Sequence, residues 1–202
     1  KSMNFLAHLY LAGSNKEIII GNFIADTIKG NKFDHFSKDI QFGIKMHRRI
    51  DTFTDSHPIF RQSKRRLDDK YRLYKGVIID LIYDHFLAKN WSQYADTSLF
   101  DFSQEVYQLL EKNYAILPEK AQYLIPYMSK QNWLYKYKSL QGIGEVMHDM
   151  NIRTQGRSKM NEAIVDLKDN YAIFEKDFTC FFKEIENYSS TYLKNHDCKN
   201  NK

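Results

Sequence analysis

Gly76-Val77-Ile78-Ile79-Asp80-Leu81-Ile82-Tyr83-Asp84-His85-Phe86-Leu87 is too apolar to face water, yet it carries two carboxylates four residues apart. At that interval Asp80 and Asp84 share one face of an α-helix. Ile78, Ile79, Leu81 and Ile82 surround Asp80, and Tyr83 and Phe86 flank Asp84, so the stretch predicts a buried helix. An ionised carboxylate left unpaired there is expensive even after relaxation. Either a metal or a buried arginine must compensate, with Arg48 or Arg49 as the structural partner. His85 beside Asp84 adds a metal-ligand or proton-transfer group that a structural ion pair does not need.

Helical periodicity extends in both directions from this segment. Residues 4–12 read as a buried helix interrupted by His8 and closed by Gly13-Ser14-Asn15. Glu17–Lys29 is a second apolar segment, with Asp26 near its end and Gly30-Asn31 as a stop signal. Asp39 to about Asp55 forms a third, and Ser56-His57-Pro58 restarts the chain with proline at a first-turn position. From there Phe60, Leu67, Tyr71, Tyr74 and Ile78 recur at helical spacing, and Gly76 separates this helix from the apolar one. Phe100–Tyr114, Pro118–Met128, Lys138 to about Asn151 and Ser158–Tyr188 are helical by the same criterion. Fourteen Phe and fourteen Tyr against eight Gly and three Pro favour long helices over an all-β chain, which needs more turn residues. No strand alternation, repeat or linker interrupts the pattern. The expectation is a single all-α domain over residues 3–190, followed by a disordered polar tail over 191–202. At 202 residues the chain is long enough for one well-buried core.

The net charge is +5, which suits an acidic partner. Its distribution says more. Arg61, Lys64, Arg65, Arg66, Lys70, Arg72 and Lys75, less Asp68 and Asp69, give one helix-sized stretch a charge equal to that of the whole chain. A docking face for an acidic partner and a merely solvated face are the two readings. Cys180 and Cys198 suggest neither a disulfide framework nor a zinc site, so a reducing, cytoplasmic setting is expected. Residues 4–11 are too short to span a bilayer, and no membrane association is expected.

The chemistry concentrates in His47-Arg48-Arg49-Ile50-Asp51-Thr52-Phe53-Thr54-Asp55-Ser56-His57. His47, Asp51 and Asp55 follow at intervals of four, and His47 with Asp51 can grip one cation from a single helix face. His57 is either a further functional group or a cap. His8 and Asp26 each interrupt an apolar run, so four separate segments send acid or imidazole groups inward. Mixed His/Asp ligation suits Mn²⁺, Mg²⁺ or Fe more than Zn²⁺. Such a site commonly hydrolyses phosphate esters. No Gly-rich phosphate loop, Gly-x-Ser-x-Gly elbow or Cys-His nucleophile arrangement competes.

Met3-Asn-Phe-Leu-Ala-His8-Leu-Tyr-Leu-Ala12, Gly21-Asn-Phe-Ile-Ala-Asp26-x-x-Lys-Gly30, the His47–Pro58 run, Tyr83-Asp84-His85-Phe-Leu and Asn90-Trp91 resemble the acyl carrier protein phosphodiesterase family. Pro126-Tyr-Met128, Asn132-Trp-Leu134-x-x-Tyr137 and Met150-x-x-Arg153 extend the resemblance, which covers about residues 3–185. That family is similar to the all-helical, metal-dependent HD phosphohydrolases with the motif order rearranged. Asp84-His85 reverses the usual His-Asp doublet. The resemblance implies hydrolysis of the diester joining 4′-phosphopantetheine to a serine of acyl carrier protein, with Mn²⁺ or Mg²⁺ as the ion. The expected metal ligands are Asp26, His47, Asp51, Asp84 and His85. His8, His57 or Asp80 would orient the water or protonate the departing serine oxygen. Arg48, Arg49 and Arg153 are candidates to contact phosphate, and Arg61, Arg65 and Arg72 to receive the acidic carrier protein. No nucleic acid is expected as partner. The aromatic-rich segment Tyr123–Tyr137 reads equally as core or as a slot for the pantetheine arm. Two other functions stay open: an HD-type hydrolase of a nucleotide or other small phosphodiester, and a non-catalytic helical module that binds an acidic partner.

Overall fold

A computed structural model describes residues 5–200, and the regular elements among them are all helical. In order they are α1 (Phe5–Leu11), α2 (Lys16–Ile24), α3 (Lys38–Ser56), α4 (Pro58–Arg66), α5 (Lys75–Lys89), α6 (Leu99–Lys112), α7 (Glu119–Gln131), α8 (Trp133–Lys136), α9 (Leu140–Arg153), α10 (Ala163–Asp169) and α11 (Tyr171–Asn200). Met3 and Asn4 of the first motif lie outside the described residues. No helix among the described residues is long and apolar enough to cross a membrane.

The apolar segment of residues 76–87 is the axis of the molecule. Every residue of α5 from Ile78 to Ala88 is buried, and α1, α4, α9 and α11 pack around it. On α11 the fully buried rings of Phe174, Phe178 and Phe182 face this axis, with Phe178 edge-on to Tyr83 and stacked on Phe86. Each such ring contributes about 1.5–3 kcal/mol by leaving water. The buried apolar side chains run as one cluster from Leu6 to Ile185.

α2 and α3 approach so closely that only glycine fits at the crossing. A Cβ on Gly21 would stand 2.1 Å from the Ile40 carbonyl oxygen, and one on Gly43 2.3 Å from that of Ile18. Any larger residue would force the helix backbones apart. Asn22 follows Gly21 directly and His47 lies one turn beyond Gly43, so this crossing decides whether those two side chains meet.

Three expectations change. The basic stretch is not one helix: α4 ends at Arg66, a 3-10 turn spans Asp69–Tyr74, and α5 starts at Lys75, so Gly76 lies inside a helix rather than between two. Asp68 restarts the chain by accepting from the Lys70 amide, and Arg72 sits at φ 47°. The span from Ser158 to Tyr188 is divided by Asn170 into α10 and α11. The tail expected to be disordered from 191 continues α11 to Asn200, because Tyr192 stacks on Phe42 at 4.8 Å and Leu193 packs against the core. Residues 201 and 202 lie outside the described residues.

Candidate metal centre and the adjoining cleft

Five polar side chains meet where α1, α2 and α3 converge: His8, Asn22, Asp26, His47 and Asp51. The two imidazole rings stack, with centroids 3.8 Å apart and planes 18° from parallel. Asn22 Oδ1 lies 3.1 Å from His8 Nδ1 and 3.2 Å from His47 Nδ1. An amide oxygen only accepts, so both rings donate from Nδ1 and turn Nε2 to the opposite side. There His8 Nε2 stands 3.2 Å from Asp51 Oδ1, and His47 Nε2 stands 3.5 Å from both Asp51 Oδ2 and Asp26 Oδ1.

An imidazole lone pair facing a carboxylate repels it unless a positive charge lies between them. His47 Nε2 and Asp26 Oδ1 are buried and make no hydrogen bond, and the Asn22 amide nitrogen beside them is equally unpartnered. Buried polar atoms without partners are rare and point to a missing ligand. In the metal-free protein a proton supplies the charge. Burial alone would depress His47, but Asp26 and Asp51 overcome it and raise the imidazole to about 9. Burial, reinforced by neighbouring His47, holds His8 below its ordinary value. Burial would raise Asp51, yet the two imidazoles hold its carboxyl well below the usual carboxylate range.

These residues fit a divalent cation. One ligand atom each from His8, His47 and Asp51 all fall within 4.8 Å of one another. With both imidazoles neutral, Asp26 and Asp51 give the donor set a charge of minus two. The carboxylates are only partly covered, at 22% and 24% side-chain exposure, so water and a phosphate ester can reach them.

The remaining expected site residues lie elsewhere. Asp84 is fully buried and accepts from the backbone amides of Leu6 (3.0 Å) and Ala7 (2.9 Å), which caps the start of α1. Its partners among the described residues are two orphan helix amides rather than an arginine. His85 is bonded on both nitrogens, at 2.7 Å to the Tyr137 carbonyl and 2.8 Å to the Tyr171 hydroxyl, so it ties α5 to α11. Asp80 is buried on α5 and does not belong to the His8–His47–Asp51 group. His57 caps α4, accepting from the Ile59 amide and pairing with Glu184 at 3.1 Å. Arg48 binds the Gly30 carbonyl and Asn31 and covers Phe33, while Arg49 lies over Tyr192. Of the basic stretch, Arg66 pairs with Asp177, Lys70 with Glu162 and Lys75 with Asp69. Arg61 donates to the Asp55 carbonyl. Arg65 and Arg72 are exposed and have no ion-pair partner among the described residues. Asn22 escaped the sequence reading, although it breaks the run Ile18–Ile24 just as His8 and Asp26 break theirs.

A cleft of about 840 Å³ opens beside the centre. Phe5, Phe23 and Asp26 form one wall, Tyr123 and Tyr127 of α7 the other, and Arg153 lies at its edge. Arg153, stacked over Trp133, also lines a neighbouring hollow under Leu73 and Tyr74, so the Arg72–Leu73 turn and the cleft share a border.

Comparison with known proteins places the chain in a family. The family model described as acyl carrier protein phosphodiesterase matches residues 3–185. A protein of that name from Photorhabdus laumondii is 36% identical over 181 residues, covering 89% of this chain and 91% of its own. One from Pectobacterium atrosepticum is 33% identical over 190 residues, covering 94% and 98%. Another, from Yersinia enterocolitica, is 32% identical over 181 residues, covering 89% and 94%. No solved structure matches the chain significantly. The matched span takes in all five side chains of the centre and both walls of the cleft, and the chain belongs to the acyl carrier protein phosphodiesterase family.

Proposed function

We propose that this chain hydrolyses the phosphodiester between 4′-phosphopantetheine and a serine of acyl carrier protein, at a metal centre held by His8, Asp26, His47 and Asp51. The observation that carries the reading is the facing, unpartnered pair His47 Nε2 and Asp26 Oδ1, in a group closed by Asp51 and His8. Two imidazoles among the donors favour Mn²⁺ or Fe²⁺ over Mg²⁺, which prefers oxygen ligands alone. When bound, the cation would neutralise phosphoryl oxygens and acidify a water.

The chain's own residues do the rest. Asn22 locks both ring orientations through Nδ1, so Nε2 of each stays available without rotamer search. Asp26 and Asp51 supply the negative charge that retains the ion and orient the attacking water beside the phosphorus. That water's oxygen bonds to phosphorus, the bond to the serine oxygen breaks, and one of the water's protons passes to the serine oxygen, which leaves as the hydroxyl of apo-carrier protein. Asp84 and His85 support this from behind, by seating α1 and by tying α5 to α11.

Holo-carrier protein assayed beside a nucleotide panel, with and without added Mn²⁺, tests the assignment. The expected result is metal-dependent loss of the phosphopantetheinyl group from the carrier, read by mass, with nucleotides untouched. Turnover of nucleotides alone, or release that is insensitive to a chelator, overturns it.

The carrier's acidic surface is proposed to dock on Arg65 and Arg72, exposed arginines of the basic stretch with no ion-pair partner among the described residues; Arg72 adjoins Leu73, which lines the hollow that Arg153 shares with the cleft. Replacing both by glutamate is expected to lower kcat/KM on holo-carrier protein about tenfold at low salt, by weakening electrostatic steering. That deficit should shrink towards nothing as salt screens the surface. A deficit independent of ionic strength argues against docking there.

A further inference from the structure

We infer that the cleft between α2 and α7 is the binding site for the phosphopantetheine arm, with Tyr123 and Tyr127 as its gripping residues. The inference rests on the phosphodiesterase reading above and goes beyond it by assigning the two substituents of the phosphorus to different places. A diester at the metal centre carries a folded protein on one oxygen and a slender chain on the other. Only the chain can enter a cleft.

Three features suit that chain. First, the cleft begins at the centre itself, because Asp26 belongs to both. Whatever leads away from a phosphate held there in this direction enters the cleft at once. Second, the quaternary carbon one methylene away from the phosphate ester in pantetheine bears two methyl groups. The apolar surface beside Asp26 is the Phe5–Phe23 pair, whose rings are 5.5 Å apart. Third, the rest of the arm is two amides separated by methylenes. The opposite wall offers Tyr123 and Tyr127, one helical turn apart with centroids at 5.3 Å, as an apolar shelf with hydroxyl groups along it. Large rings are costly to leave in water, and these two are 69% and 45% exposed, beside Lys120, Pro126 and Lys130 on the outer face of α7. The volume of 840 Å³ falls within the range of small-ligand clefts. The remaining aromatics of this segment do something else: Trp133 and Tyr137 are buried in the core, and Tyr135 packs edge-on against Phe100, away from the cleft lining.

The test compares two probes on the manganese-loaded protein by calorimetry: 4′-phosphopantetheine, which has the phosphate and the arm, and inorganic phosphate, which has only the first. Wild type should bind phosphopantetheine about 100-fold more tightly than phosphate, from the apolar area the arm buries. In the variant Tyr123→Ala with Tyr127→Ala that preference should fall by about 10–30-fold, while phosphate affinity stays put. Both rings are exposed, so the fold should survive. Tyr123→Ala alone, at the more exposed ring, should lose several-fold and covers the case in which the double variant misfolds. An unchanged preference in the folded variants, or equal affinity of wild type for the two probes, overturns the assignment of the cleft. Release of phosphopantetheine from holo-carrier protein by wild type is measured in parallel. Its absence sinks the phosphodiesterase reading, whereas a failed preference with normal release sinks only the cleft.

Discussion

Asp51→Ala is expected to lose hydrolysis of holo-carrier protein by about three orders of magnitude or more, the scale of losing a group that acts only at the reacting centre. The fold should stay intact. Asp51 bridges both rings, with one carboxylate oxygen toward His8 and the other toward His47. Its removal leaves stacked imidazoles with half their counter-charge. Metal content by elemental analysis should fall with the activity, and the melting temperature of the metal-free protein should move by only a few degrees, because the side chain is partly exposed and its neighbours are on well-anchored helices. Full metal occupancy and normal release in a folded Asp51→Ala protein would overturn the assigned centre.

Asp84→Ala is expected to fail in the opposite way. Its carboxylate is fully buried and satisfies two amides at the start of α1, the seven-residue helix that carries His8. Loss of both acceptors together with a buried volume should cost about 3 kcal/mol, which for a chain of this size lowers the melting temperature by about 6–12 °C. Activity should decline only as the folded population declines. If Asp84 were instead a metal ligand, the variant would keep its melting temperature and lose its metal.

The pH dependence of that cost is a further readout in the same experiment. Burial raises the Asp84 carboxyl to about 7, against the opposing pull of the Leu6 and Ala7 amides. The native state therefore holds the proton more tightly than the unfolded chain, whose aspartates titrate near about 3.9. Stability from this group is fully present below about pH 4 and is lost as pH rises through about 7. Urea titrations should show the gap between wild type and Asp84→Ala narrowing across that window. A gap that widens instead would mean the two amides outweigh burial.

Helix type, the buried character of α5 and the residue chemistry available for a metal were legible because they depend on local spacing. From Ile78 to Leu87 all positions but Asp80, Asp84 and His85 are apolar, too many to leave a face for water, whatever the neighbours are. The run from His47 to Asp51 shares one face for the same reason. The inward placement of His8 and Asp26 followed from polar groups interrupting apolar runs. Applied to Ile18–Ile24 with equal rigour, that rule would have found Asn22 as well.

Partners were not legible, because burial demands that a charge be compensated without saying by what. Asp84 and His85 satisfied every local criterion for ligands, and the fold gave them backbone and hydroxyl partners contributed from residues 6–7, 137 and 171. Arg48 and Arg49 sit in the sequence beside His47 but point along different faces of α3, so they secure the Gly30 turn and the last helix. By itself the sequence determined an all-helical chain with a buried, acid-bearing axis and a stock of imidazole and carboxylate groups, since periodicity and polarity are properties of single segments. Only the tertiary structure decided which of those groups face one another. That depended on a backbone crossing close enough to require Gly21 and Gly43, and such a contact joins residues that no periodicity relates.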